Sequence, residues 1–230
     1  MNLVSKLQTH YEWTPNYRLV FKKPVPTGLE TISVPQSKGE HGWIVLTYNK
    51  TVPTCLWITP KEVSILPCIV DERICGDTFL RVEKISNLTF LVSDIWMYNS
   101  NCVFACSTFQ QRYEWLKDLL KRFVFHTDST IRLIHKSEYS FTEISGHELY
   151  TTETAGKPGY FVEKEEYVIQ EFKKLEIPDC YLPVGKRGYL RVPDLKTSLY
   201  LRSKPNTFEC KCVQNEDTTW TLLENIPNLK

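Results

Sequence analysis

The sequence predicts an α+β protein built mostly from antiparallel strands, and three observations carry that prediction. Short runs of β-branched and aromatic residues recur between residues 43 and 98 and again from 188 to 223. Turn residues, Asn99-Ser100-Asn101 among them, separate the runs. Two segments instead carry apolar residues at three- and four-residue steps, the period of an amphipathic helix. Strands mixed with two to three helices define the α+β class.

Taken in order, residues 1–12 are expected to form a short helical arm. Residues 13–40 hold Pro15, Pro24, Pro26, Gly28, Pro35 and Gly39 and read as extended, irregular chain. Strands are expected over 43–48, 55–59, 63–70, 78–83 and 88–98. The clearest helix spans about 108–125, where Phe109, Tyr113, Leu116, Leu119, Leu120 and Phe123 fall on one face. Ser107, three residues before Gln110, has the spacing of a capping box. A strand over 130–135 follows. Residues 163–175 read as a second amphipathic helix, ended by Pro178. No repeat, low-complexity tract or linker interrupts the chain, so 1–230 reads as one domain with an irregular N-terminal arm over 1–40.

Composition narrows the function. Hydrophobic residues make up 42% of the 230, enough to fill a core. The 28 basic and 27 acidic residues leave a net charge of +1, which argues against a broadly basic nucleic-acid protein. No stretch approaches the ~18 apolar residues of a membrane span. The opening Met1-Asn2-Leu3-Val4-Ser5-Lys6 turns polar before a secretory apolar run can form. An intracellular protein, cytoplasmic or nuclear and not secreted, is expected. Eight scattered cysteines without a CxxC pair read as reduced structural thiols. The histidines (10, 41, 126, 135 and 147) lack metal-ligand spacing, and no phosphate loop or nucleophile elbow occurs.

One segment stands apart. Between residues 181 and 212 lie Lys186, Arg187, Arg191, Lys196, Arg202, Lys204 and Lys211 against only Asp194 and Glu209, a local charge of +5. Tyr181, Tyr189 and Tyr200 are interleaved. Cations beside π-faces suit a nucleotide, whose phosphates need charge and whose base needs a stacking surface. A solvated edge strand guarded by lysines has the same composition.

The run Thr89-Phe90-Leu91-Val92-Ser93-Asp94-Ile95-Trp96-Met97-Tyr98-Asn99 continues through Val103-Phe104 to Gln111-Arg112-Tyr113-Glu114-Trp115-Leu116. It resembles the strand–turn–helix segment of the covalent nucleotidyltransferases, the superfamily of mRNA-capping guanylyltransferases and polynucleotide ligases. Asp94 and Arg112 match the family's strand aspartate and helix arginine. Leu201-Arg202-Ser203-Lys204-Pro205 resembles the family's K-x-K-P strand, whose two cations hold phosphates. The resemblance implies a nucleotidyltransferase-like core over 41–212, with mostly antiparallel twisted sheets.

The departures from that family matter as much. Thr47 stands where the family's nucleophilic lysine belongs, and a hydroxyl cannot form the phosphoramidate bond. Arg187-Gly188 occupies the place of the acid–glycine metal motif, and Arg81-Val82-Glu83 keeps only Glu83 of another. The chain ends 26 residues after Lys204, which leaves no room for an OB-fold lid. Together these imply a non-catalytic relative without metal or cofactor, similar to the cap-binding domain of snurportin. A free-standing core of this kind also fits a viral protein.

By that resemblance Tyr200 is the base-stacking platform, with Trp57 or Trp43 as a second aromatic. Arg202, Lys204 and Arg187 would pair with phosphates, and Asp94 or Glu83 would accept hydrogen bonds from guanine or ribose. The implied partner is capped RNA or a guanine nucleotide. Two alternatives stay open: an active guanylyltransferase core using Lys50 and a lid from a partner, and a scaffold whose aromatics anchor a protein partner.

Overall fold

The apolar run around residues 43–48 becomes the middle of a six-stranded sheet in the computed structural model, which describes residues 3–22, 28, 30–152, 154–164, 167–224 and 226. The chain, read from sequence as one domain, divides by its contacts into two units, Met1–Lys164 and Glu165–Lys230.

The first unit runs α1 (Leu3–Tyr11), β1 (Val20–Phe21), β2 (Thr31–Gln36), β3 (Glu40–Asn49), β4 (Val52–Ile58), β5 (Val63–Leu66), β6 (Ile69–Val70), β7 (Thr78–Lys84), β8 (Thr89–Met97), α2 (Val103–Cys106), α3 (Phe109–Phe123), β9 (Val124–Phe125), β10 (Arg132–His135), β11 (Gly146–Thr151) and β12 (Gly159–Glu163). Its larger sheet has the order β10-β8-β7-β3-β4-β5, antiparallel except where β10 runs along β8. A second sheet, β1-β12-β11-β2, is antiparallel except for β1 beside β12. The short β6 and β9 pair with each other.

The larger sheet is buried on both faces, which is why β3 reads as a continuous apolar run rather than an alternation. Ile44 and Leu46 point into one core with Leu80, Val82, Phe90 and Val92, closed by Leu116, Leu119 and Leu120 of α3. Trp43 and Val45 point into another with Leu56, Phe79, Trp96 and the arm residues Leu7 and Trp13. Helix α3 forms where expected, but its capping box is one residue later than Ser107 and Gln110. The Thr108 hydroxyl accepts from Gln111 N at 3.3 Å, and Gln111 Oε1 accepts from Thr108 N at 2.9 Å. Ser107 is diverted, donating its hydroxyl to Val103 O.

Two expectations in this unit need correction. Residues 63–70 are two strands, because Pro67 between them has no N–H to donate. Residues 13–40 contain β1, β2 and the first residue of β3. Pro35 is tolerated within β2 because that strand is the edge of its sheet. Pro24 and Pro26 lie outside the described residues, as do Met1 and Asn2 of the helical arm.

The second unit contains β13 (Val168–Lys174), β14 (Tyr181–Pro183), α4 (Leu195–Ser203), β15 (Thr207–Gln214) and β16 (Trp220–Leu222). Its antiparallel sheet has the order β14-β13-β15-β16, and Phe172, Tyr181, Leu201, Phe208, Cys210, Cys212 and Trp220 fill its core. The helix expected over 163–175 is instead the end of β12 and the strand β13; residues 165 and 166 lie outside the described ones. Gln170 and Phe172 are buried while Glu171 and Lys173 are exposed, a period of two. Pairing with β15 decides the matter.

The opposite correction applies at 195–203, where a strand was expected and α4 forms. The Asp194 carboxylate caps it by accepting from Thr197 N at 2.7 Å. The Lys174 ammonium donates to the carbonyls of Arg202 and Lys204 at the other end. The α+β class with mostly antiparallel sheets stands, with four α-helices among the described residues, one of them a single turn. All eight cysteines are unbridged. No helix among the described residues is long and apolar enough to cross a membrane.

Candidate functional site

The eight residues singled out from sequence divide between the units. Tyr200, Arg202, Lys204 and Arg187 belong to the second. Tyr200 and Arg202 lie on α4 and Lys204 is its C-cap, so the expected K-x-K-P strand is a helix end. Each of these three is engaged. Tyr200 donates its hydroxyl to Glu224 at 2.5 Å. The Lys204 ammonium sits 4.6 Å from the centroid of the Tyr200 ring and 3.8 Å from Glu224. Arg202 forms a two-pronged pair with Asp179 at 3.0 and 2.6 Å. Arg191 pairs with Asp217. Arg187 is exposed in the turn 184–188, and its carbonyl accepts from Trp220 Nε1 at 3.1 Å. The +5 of the linear segment is therefore partly offset, by Asp179 before it and by Asp217 and Glu224 after it.

Asp94, Glu83, Trp57 and Trp43 belong to the first unit. Asp94 is fully buried and receives Arg112 Nε at 2.8 Å and Nη2 at 2.9 Å. Arg112 also donates to Ser107 O. This pair ties β8 to α3, and Asp94 is not among the residues that line the cleft beside the segment 15–19. Glu83 is fully buried too, held by the Lys136 ammonium and by Ser37 N at 2.8 Å. Trp57 lies in the core, edge-on to Phe90 with centroids 5.2 Å apart. Its ring fills the space above Gly42, where a Cβ would stand 2.4 Å from the indole. Of the eight, only Trp43 lines the unit's cleft between the segment 15–19 and the two larger sheets.

That cleft has a volume of about 490 Å³ and draws its walls from both sheets and from the segment 15–19. Arg18, Lys22, Lys38 and Arg81 supply cations; Tyr17, Trp43 and Phe161 supply rings. Among the described residues its lining holds no aspartate or glutamate. The Lys22 ammonium lies 5.4 Å from the Phe161 centroid and pairs with the exposed Glu163. Lys38 pairs with Glu143 at 3.0 Å, also at the surface. Tyr17 packs 5.0 Å from Trp96 and 6.4 Å from Trp43.

Beneath the cleft lies a buried network of four charges. Arg81 donates to both oxygens of Glu148, at 3.0 and 2.5 Å, and to Tyr150 Oη at 3.2 Å. Tyr150 donates in turn to Glu148 at 2.7 Å. Lys136 joins Glu83 and lies 3.6 Å from Glu148. Two cations and two anions cancel, as they must away from water. Burial alone would raise the Glu148 carboxyl; the charges of Arg81 and Lys136 overcome it and hold the group well below the usual carboxylate range. The network joins β7 to β11 and so ties the unit's two sheets together under the cleft. Tyr150 stacks on Phe109 of α3 with centroids 3.5 Å apart, which extends the tie to the helix.

Sequence reasoning passed over this arrangement, although one signal was present: Arg81 and Glu83 interrupt an otherwise apolar strand at two-residue spacing, which places both on one face. Among the described residues no group of three or more His, Cys, Asp or Glu is placed to hold a metal ion. No known protein-family model matches the chain, and no curated protein matches it in sequence. Fold and site together define an α+β protein whose first unit holds a cleft lined, among the described residues, by cations and no acid.

Proposed function

We propose that this cleft binds a guanine nucleotide or the capped end of an RNA, and that the chain holds this ligand without transferring it. The observation that carries the reading is the lining itself: among the described residues, Arg18, Lys22 and Lys38 and three aromatic rings face one space and no acid does, while Arg81 at its floor is held by Glu148. Phosphates are held by the cations, and a base stacks on a ring, a contact worth about 1–3 kcal/mol per base. The volume is in the range of about 300–1,000 Å³ that suits a small-molecule ligand. The choice of guanine rests on the resemblance of residues 89–116 to a capping-enzyme core. The reading moves the stacking role from Tyr200 to Tyr17, Trp43 and Phe161.

Binding without transfer is supported by the fate of two positions. Thr47, at the place of the family's lysine, is buried and donates to Asp77 at 2.5 Å. Lys50 sits in the exposed turn between β3 and β4 with φ +60° and is not part of the cleft lining.

Trp43 in the lining and Trp96 beside Tyr17 make intrinsic fluorescence the direct test. GTP, 7-methyl-GTP and a trimethylguanosine cap are expected to change it saturably and ATP to do so more weakly. The signal should be lost in Arg18→Ala/Lys22→Ala and kept in Tyr200→Ala. No saturable change with any guanine ligand sinks the reading. A covalent GMP adduct that survives denaturation and disappears in Lys50→Ala would establish the active enzyme instead.

A further inference from the structure

We infer that the cleft takes the phosphates of its ligand without a divalent cation, the side-chain charges of Arg18, Lys22 and Lys38 standing where a metal would. The inference rests on the nucleotide reading above and concerns how that same site holds its ligand.

A nucleotide polyphosphate in the cell usually travels with Mg²⁺. A site that keeps this metal offers it one or two carboxylates. Here the described lining offers none. The exposed Glu163 and Glu143 at its rim pair with Lys22 and Lys38, and the buried carboxylates beneath it are committed. Glu148 receives Arg81 through both oxygens, and Glu83 receives Lys136 and Ser37 N. Freeing either oxygen pair for a metal would strand a buried cation.

The cations, by contrast, are placed to be used. Arg18 is exposed and makes no ion pair among the described residues. Lys22 and Lys38 pair with Glu163 and Glu143, but all four side chains are more than half exposed. Such pairs are weak and salt-screened. A polyphosphate outcompetes a single carboxylate for the same ammonium because it brings more charge and more acceptor oxygens. A Mg²⁺ already on the phosphates would bring two positive charges toward three more. The metal-free ligand therefore binds better, and affinity rises with phosphate number.

Titration calorimetry on the whole chain tests this with two probes, GTP and inorganic tripolyphosphate, each with EDTA and with millimolar Mg²⁺. Both are expected to bind in EDTA and to bind several-fold more weakly with Mg²⁺. The order GTP, GDP, GMP should be one of falling affinity. The triple variant Arg18→Ala/Lys22→Ala/Lys38→Ala should lose tripolyphosphate binding while keeping its fold, since all three side chains are exposed.

GTP binding that requires Mg²⁺ overturns the inference and leaves the nucleotide reading intact. So does GTP binding in EDTA that the triple variant retains. Tripolyphosphate bound in EDTA without any GTP binding does the reverse: it upholds a metal-free anion site and sinks the nucleotide reading. If neither probe binds, both fall.

Discussion

Arg81, Lys136, Glu83 and Glu148 in the first unit are withdrawn from water and satisfy one another, whereas Arg191, Arg202 and Lys204 in the second meet their acids at or near the surface. The two arrangements look alike in a list of ion pairs and differ in consequence. A buried pair that loses a partner leaves a charge in a medium that cannot solvate it. An exposed one falls back on water. The first unit therefore uses charge to hold two sheets under a cleft, and the second pairs three of its basic residues with acids that water can replace.

The sharpest way to break that comparison is to remove one cation from each unit. Lys136→Met is expected to cost about 3–5 kcal/mol in urea denaturation, because Glu83 loses the cation it is buried against and Glu148 loses a second one. If it costs no more than removal of a surface lysine, the network is not the tie described.

Acid should also act mainly on the first unit, since all five histidines lie there. Burial pushes His135 down from 6.5 to about 4. Between those values the unfolded chain takes up a proton that the native state refuses. Stability is therefore expected to fall as pH drops through this window, by about 3 kcal/mol at pH 4. His135→Phe should flatten that part of a pH–denaturation series; an unchanged slope would show that the burial of His135 is not its source.

Packing comes next in size. Gly42→Ala forces a Cβ to within 2.4 Å of the Trp57 indole and should destabilise the chain by roughly 1–3 kcal/mol. A loss of GTP affinity with it would further link that strand to the cleft. The smallest effect belongs to the second unit. Arg202→Ala breaks a pair whose arginine is 52% exposed and should cost under about 1 kcal/mol.

Legibility followed the range of the interactions. The helix at Phe109–Phe123 and the strands β3, β7 and β8 could be read because their apolar spacing is a property of neighbours in the chain. Residues 163–175 carry spacing compatible with either period, and only the partner strand β15, some forty residues on, selects the strand. Asp194 before Thr197 is a readable cap for α4, but the resemblance of residues 201–205 to a K-x-K-P strand points the other way. Asp94 and Arg112 were rightly singled out as a strand acid and a helix base, but their mutual burial, which gives them to the fold, was not visible.

What the sequence determined by itself was therefore the class: a mostly antiparallel α+β protein with its best helix and its central strands. What only the tertiary structure decided was where charge is spent. Asp179, Asp217 and Glu224 lie outside the +5 segment yet pair with three of its seven cations. Arg18, Lys22, Lys38, Arg81 and Phe161 are scattered through the first 161 residues yet line one cleft. Hydrophobic period is set by adjacent residues and survives in one dimension. Electrostatic compensation and a concave surface depend on distances in space, and those exist only once the strands have paired.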